Sequence, residues 1–152
     1  MYTLEPKDFD FLKRAKEVAT ESGCIHSGTR FGAIAVKDGK VLSEGFNGAV
    51  GKIPLCTRVG KCIRQEMKIA PGEKREFANC ICAEQRVICN AARSGTALEG
   101  ATLYVTGLPC AFCIRLLIAA GFVRVIYEKD YPSPMSHELA ELGGLELVKV
   151  EF

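Results

Sequence analysis

From residue 82 onward the chain alternates three times between a helical pattern and a short apolar strand pattern, and glycine closes each helix. The spacing predicts a helix over Cys82–Ser94 ended by Gly95, a strand over Ala101–Thr106, a helix over Cys110–Ala120 ended by Gly121, a strand over Val123–Tyr127, a helix over Ser133–Leu142 ended by Gly143-Gly144, and a strand over Leu145–Val150. Glycine suits the residue after a helix because it adopts a left-handed conformation without steric cost. Strands joined through helices pair in parallel, and such crossovers are right-handed almost without exception. Upstream, Phe9, Leu12, Ala15, Val18 and Ala19 recur at helical spacing within an expected helix from Pro6 to Gly23. A hairpin follows, with strands Phe31–Val36 and Val41–Phe46 around Lys37-Asp38-Gly39-Lys40, where Asp-Gly is a strong turn signal. The fold class is therefore α/β: a mixed sheet of about five strands with helices on both faces.

The 152 residues carry no repeat, low-complexity tract or linker, so a single domain over 1–152 is expected. A composition 48% hydrophobic and 25% charged excludes a disordered, collagenous or coiled-coil chain. No apolar run reaches about 18 residues, so no membrane helix is expected. The charged amphipathic start, with no apolar signal core, leads to the expectation of a cytoplasmic protein. A net charge of only +2 gives no case for nucleic-acid or membrane binding, and the lack of Trp argues against a groove for a splayed strand. The charge is nevertheless uneven: Lys52–Arg75, inside a long irregular stretch from Gly48 to Asn79, holds seven basic and two acidic residues. Two readings stay open for it: a solvated basic face, or an anion site such as one for a substrate phosphate.

Eight cysteines stand at 24, 56, 62, 80, 82, 89, 110 and 113. In a reducing compartment clustered cysteines read first as metal ligands or catalytic groups. The sharpest constellation is Cys82-Ala83-Glu84 followed by Pro109-Cys110-Ala111-Phe112-Cys113. Cys110 and Cys113 share a helix face at i,i+3. Cys82 stands at the start of another helix, so two helix N-termini can converge beyond one sheet edge. Helix N-termini lower thiol pKa values and favour the thiolate that metals need. Three protein ligands plus an open position is the catalytic zinc pattern. Three thiolates and Zn²⁺ sum to −1, a charge that the helix dipoles offset in part and that Arg86, at i+4 from Cys82, is expected to offset further. Glu84, two residues from a ligand, suits proton transfer between water and substrate rather than coordination. Taken singly, a CxxC also fits a structural zinc half-site or a redox pair, Cys82 a small core residue, and Glu84 a helix cap. The combination points to catalytic zinc, and Glu84 separates this from a non-catalytic zinc protein, which has no use for it. Cys89, mid-helix, is expected in the core.

This chain resembles the zinc-dependent cytidine and deoxycytidylate deaminase superfamily, in the pattern [H/C]-x-E then P-C-x-x-C in which the Glu is not a ligand. The likeness extends to Phe31–Val36, Gly45-Phe46-Asn47-Gly48, Ile53–Cys56, Val59–Cys62, Pro71–Arg75 and Gly121–Tyr127, most of the chain between Gly23 and Tyr131. It implies a three-layer α/β/α cytidine-deaminase-like fold and hydrolytic deamination of cytosine, with deoxycytidylate (dCMP) as substrate and cytidine or deoxycytidine as the alternative. It implies one catalytic Zn²⁺ on Cys82, Cys110 and Cys113, proton transfer by Glu84, a pyrimidine carbonyl contact from the Ala83 N–H, and a sugar 3′-hydroxyl contact from Asn47, which taken alone with Gly48 reads as a turn. Arg30, Arg58, Arg64 and Tyr131 are the candidates for a 5′-phosphate. It also implies a homo-oligomer, hexameric or dimer-based. Several members build a second, structural zinc site in the region of Cys24, Cys56, Cys62 and Cys80; a set of small buried residues is the other reading of those four. The chain departs from the family at Cys82, where many deoxycytidylate deaminases carry His, and at Arg86, where they carry Asn.

Overall fold

The computed structural model describes residues 1–70, 73–74 and 77–151. The family-like segment Pro71–Arg75 lies in part outside these residues, at Pro71, Gly72 and Arg75. The chain begins with helix α1 (Pro6–Ala19), followed by strands β1 (Gly32–Lys37) and β2 (Lys40–Phe46). Asp38 and Gly39 both take positive φ, 51° and 74°, as a tight hairpin turn requires. The irregular stretch contains β3 (Gly48–Ala49), the short helices α2 (Cys56–Val59) and α3 (Ile63–Glu66), and β4 (Cys80–Ile81), which pairs antiparallel with β3. The alternation then runs α4 (Ala83–Ser94), β5 (Thr102–Gly107), α5 (Ala111–Ala120), β6 (Arg124–Lys129), α6 (Ser136–Gly143) and β7 (Glu146–Lys149).

The main sheet has the order β2-β1-β5-β6-β7. The β5–β6 and β6–β7 pairs are parallel, whereas β1 is antiparallel to both β2 and β5, so the sheet is mixed as expected. Strand side chains alternate between two cores because successive residues point to opposite faces. Ile34, Val36, Tyr104 and Ile126 meet Leu12, Ala15 and Val18 of α1. Ala33, Ala35, Leu103, Val105, Val125 and Tyr127 share the other core with Ala83, Val87 and Ala91 of α4 and Ile114 and Leu117 of α5. The outcome is three layers, α/β/α. No helix among the described residues is long and apolar enough to cross a membrane.

Three local expectations are corrected. Helix α1 stops at Ala19 rather than Gly23, because Thr20, Glu21 and Ser22 turn back on i−3 carbonyls and carry the buried Ser22 hydroxyl toward Asn47. Its buried stripe is Asp8, Leu12, Ala15 and Val18, with Phe9 exposed. Asp8 takes the inner position because it accepts hydrogen bonds from the Glu5 N–H and from the hydroxyls of Tyr2 and Tyr104. Helix α6 starts at Ser136 rather than Ser133, since both serines serve the neighbouring helix end, as described below.

Candidate active site

The antiparallel placement of β1 beside β5 brings the start of one strand to the end of the other, with Ala33 opposite Val105. At this edge Asn47, just after β2, donates its N–H to the Phe31 carbonyl, and Leu108, just after β5, donates to the Lys129 carbonyl at the end of β6. The N-termini of α4 and α5 reach the same edge from the opposite core. A cavity of about 360 Å³ opens there, lined among others by Asn47, Cys82, Glu84, Cys110 and Tyr131. Its volume lies at the lower end of the roughly 300–1,000 Å³ range of small-molecule sites, and it sits outside the carboxyl ends of parallel strands, where α/β folds commonly bind ligands.

The Sγ atoms of Cys82, Cys110 and Cys113 all lie within 4.8 Å of one another. Cys110 and Cys113 are 3.6 Å apart. Tetrahedral zinc with bonds of ~2.3 Å requires sulfurs ~3.8 Å apart, so the donor set fits a zinc ion in both element and spacing. Cys82 and Cys110 are N-caps of α4 and α5, each with extended backbone just outside the helix, and Cys113 stands one turn into α5. This puts all three sulfurs at the positive ends of two helix dipoles. Cys113 is fully buried, and its thiol is pushed well above its ordinary value by hydrogen bonds with Cys110 and Cys82, by burial, and by the Glu84 charge. Three thiolates and a buried carboxylate in one place call for a cation to neutralise them.

Glu84, in the first turn of α4, is 5% exposed and lines the cavity beside Cys82. Ala83, also lining it, is the first residue of α4, where a backbone N–H has no intrahelical acceptor. Two supports were not anticipated from the residues. Gln85 reaches back so that its Oε1 accepts the Cys82 N–H at 2.8 Å; its place three residues after the cap is the signal, since Gln there commonly closes a capping box. Behind Cys110, Ser133 Oγ accepts the Ala111 N–H at 3.1 Å, and the buried Ser136 hydroxyl donates to the Pro109 carbonyl at 2.7 Å. Only the tertiary pairing of α5 with α6 reveals those two.

Asn47 sits where expected, with most of its amide already engaged. Its Oδ1 accepts from the Phe31 N–H and the Ser22 hydroxyl, and its Nδ2 donates to the Thr29 carbonyl, leaving one N–H of the amide. Tyr131 packs edge-on against Phe31, and both rings line the cavity. Arg30 turns its Nε to the Cys24 carbonyl and lies outside the cavity lining, as does the exposed Arg58; Arg64 lies within it. Arg86 is not directed to the thiol cluster. It donates to the carbonyls of Phe46, Gly48 and Ala49 and lies over the Phe46 ring, so it clasps the corner between β2 and β3. Cys89 is exposed rather than in the core, because it falls on the face of α4 opposite Val87 and Ala91.

Cys24, Cys56, Cys62 and Cys80 all line the same cavity, with Cys56 and Cys80 in thiol contact. Burial pushes the Cys80 thiol up to about 11. Among the described residues no three of these four sulfurs lie mutually within 4.8 Å, a spacing reached by Cys82, Cys110 and Cys113 alone.

Residues 5–129 match the family described as the cytidine and deoxycytidylate deaminase zinc-binding region. The chain belongs to this family. The family is a zinc-binding one, and Cys82, Cys110 and Cys113 form a cluster that could hold a metal ion. Among deaminase relatives, the deoxycytidylate deaminase of Mycobacterium phage D29 is 35% identical over 125 residues, covering 79% of this chain and 92% of that protein. ComE operon protein 2 of Bacillus subtilis is 29% identical over 143 residues, covering 93% of this chain and 70% of that protein. The dCMP deaminase of cyanophage S-TIM5, solved in complex with dCMP and dUMP, superposes with a TM-score of 0.77 over 97% of this chain and 100% of that one; at 24% identity this likeness concerns the fold.

Proposed function

We propose that this chain, as one deaminase domain, hydrolyses the cytosine amino group of dCMP, consuming water and releasing dUMP and ammonia. The observation that carries the reading is the convergence of three cysteine sulfurs, in zinc spacing, with a buried glutamate at the floor of one nucleotide-sized cavity. Relatives named deoxycytidylate deaminase support the choice of nucleotide.

Cys82, Cys110 and Cys113 would hold zinc, which supplies Lewis acidity that makes water a competent nucleophile near neutral pH. Glu84 accepts the proton lost by the attacking water at its carboxylate. It delivers that proton to N3 of the pyrimidine, then passes the remaining proton of the new C4 hydroxyl to the amine at C4, so that the C4–N bond breaks, the C4 carbonyl forms and ammonia leaves. Its burial keeps bulk water from short-circuiting this transfer. The Ala83 N–H meets the pyrimidine carbonyl, and the remaining Asn47 N–H meets the 3′-hydroxyl. Phe31 and Tyr131 supply an aromatic wall for the base.

The reading carries with it a homo-oligomer, hexameric or dimer-based, supported by the exposed Phe112 and Leu116 on α5, and work in the cytoplasm, supported by the need for three reduced thiols. The test is ammonia release from dCMP, deoxycytidine and cytidine by the zinc-loaded protein, alongside Glu84→Gln. Turnover of dCMP above both nucleosides is expected. Glu84→Gln should keep its zinc and lose at least about 100-fold in rate. Zinc-bound protein inert toward all three compounds, or Glu84→Gln with full turnover, would refute the reading.

A further inference from the structure

We infer that Arg86 is a positioning residue for sugar recognition: it grips the backbone on both sides of Asn47 and so sets where the Asn47 amide meets the 3′-hydroxyl of a deoxynucleotide. The inference rests on the deaminase reading of the cavity and adds to it the residue that fixes the sugar contact relative to Glu84.

Arg86 leaves α4 two residues after Glu84, about 200° further round the helix. One helix thus turns a carboxylate into the cavity and a guanidinium toward the end of β2. The Arg86 Nε donates to the Phe46 carbonyl at 2.7 Å, and its Nη2 donates to the carbonyls of Gly48 and Ala49 at 3.0 and 3.1 Å. These acceptors flank Asn47, one before it and two after. The guanidinium also lies over the Phe46 ring, 4.7 Å from its centroid. A rigid planar fork held in this way resists both sliding and twisting of the corner. Earlier in β2, the Ser43 hydroxyl donates to the Val87 carbonyl, and the Asn90 amide donates to the Glu44 carbonyl. Both ties stop short of the corner. Arg86 carries the attachment past Asn47 and into β3.

The Asn47 side chain has little slack to absorb a displacement. Its Oδ1 accepts from the Phe31 N–H at 2.8 Å and the Ser22 hydroxyl at 2.7 Å, and its Nδ2 donates to the Thr29 carbonyl at 2.6 Å. The amide is planar, so these bonds fix the direction of its last N–H. They run to residues 22, 29 and 31, on the side of β1, whereas the tie to α4 comes from Arg86. A hydrogen bond to a sugar hydroxyl tolerates only a few tenths of an ångström around about 2.9 Å. With the base held at Glu84, the reach of the Asn47 N–H depends on the gap between α4 and the corner, and Arg86 spans that gap.

The experiment compares wild type with Arg86→Gln and Arg86→Lys on dCMP and on 2′,3′-dideoxycytidylate, which lacks the 3′-hydroxyl. Calorimetry measures binding of dUMP and 2′,3′-dideoxyuridylate to the same proteins. The wild-type preference in kcat/KM for the compound that carries the hydroxyl should fall about 5- to 10-fold in Arg86→Gln, the scale of one hydrogen bond, with a matching fall in the binding ratio. Arg86→Lys should retain part of both ratios, because an ammonium reaches fewer of the carbonyls than the fork does; it also reads the ratios if Arg86→Gln proves too unstable to isolate. Equal losses on the two compounds would make Arg86 a structural clasp and overturn the inference. A wild type indifferent to the 3′-hydroxyl would overturn it too, since there would be no sugar contact to position. Failure of wild type to deaminate dCMP would sink the deaminase reading by itself, and the two uridylates would still decide the role of Arg86.

Discussion

Gln85 and Cys82 are tied reciprocally, the Cys82 N–H donating to the Gln85 Oε1 at 2.8 Å and the Gln85 N–H to the Cys82 side chain, and this pair orients a metal ligand from the helix it opens. Cys82 caps α4: its carbonyl accepts the Arg86 N–H, but its own N–H has no acceptor within the helix. The side chain three residues on supplies the missing restraint. Removing it in Gln85→Ala should weaken zinc binding by about 10- to 100-fold, the usual consequence of losing a partner that steadies a ligand. Competition against a chromogenic chelator measures this, and undiminished affinity would show that the Gln85 amide does not position Cys82.

Gly45 packs β2 directly against the first turn of α4. A Cβ there would stand 2.7 Å from the Val87 nitrogen and 2.8 Å from the Ala83 carbonyl oxygen, both backbone atoms. Neither can swing aside as a side chain does, so Gly45→Ala must push α4 from the sheet. A loss of roughly 1–3 kcal/mol in urea unfolding is expected. Gly28→Ala, where an added methyl meets nothing within 4 Å, should be close to neutral and serves as the control.

Metal binding should depend on pH in a defined direction. The Cys113 thiol is held in its neutral form by its sulfur neighbours, burial and the Glu84 charge. Zinc takes thiolates, so loading expels protons, and affinity must fall as pH falls by up to about tenfold per pH unit for each thiol still protonated. Calorimetry in two buffers of different ionisation enthalpy counts the protons. A pH-independent affinity would contradict three-thiolate coordination. Chelation should also lower the thermal midpoint, because the folded state loses a ligand that the unfolded chain does not assemble.

At the far edge of the sheet, Arg124 and the Tyr2 N–H hold the Glu146 carboxyl below its ordinary 4.5. A depressed folded pKa stabilises at pH values above the unfolded one, and that stabilisation disappears as pH falls through the folded value. Glu146→Gln should therefore cost less than about 1 kcal/mol at pH 7, the scale of a partly exposed pair. The difference from wild type should shrink as the solution is acidified. A difference that grows on acidification would reverse the assignment.

Much of the architecture was legible before any coordinates. The glycine stops after α4, α5 and α6 lie at the residues expected, with φ of 68°, 92° and 73° at Gly95, Gly121 and Gly144. The three sulfurs were legible as well, because an i,i+3 spacing and a helix start are local matters. Phe9, Cys89 and Arg86 were misread for one common reason. Helical spacing tells which residues share a stripe but not which stripe meets the sheet, and Asp8 displaces Phe9 inward only because the Tyr104 hydroxyl arrives from β5. The supports from Ser133 and Ser136 escaped notice because they cross from one helix to the next.

Short-range patterning pointed to the helices and strands of the main sheet and to the side chains that could grip a metal, since backbone periodicity and ligand chemistry both act over a few residues, but it missed β3, β4 and the short helices α2 and α3. Tertiary packing decided which of several arginines shares the cavity with Glu84, and how Asn47 spends its amide. Those outcomes depend on contacts between residues dozens of positions apart, whose meeting is set by strand order and helix placement rather than by any nearby neighbour in the chain.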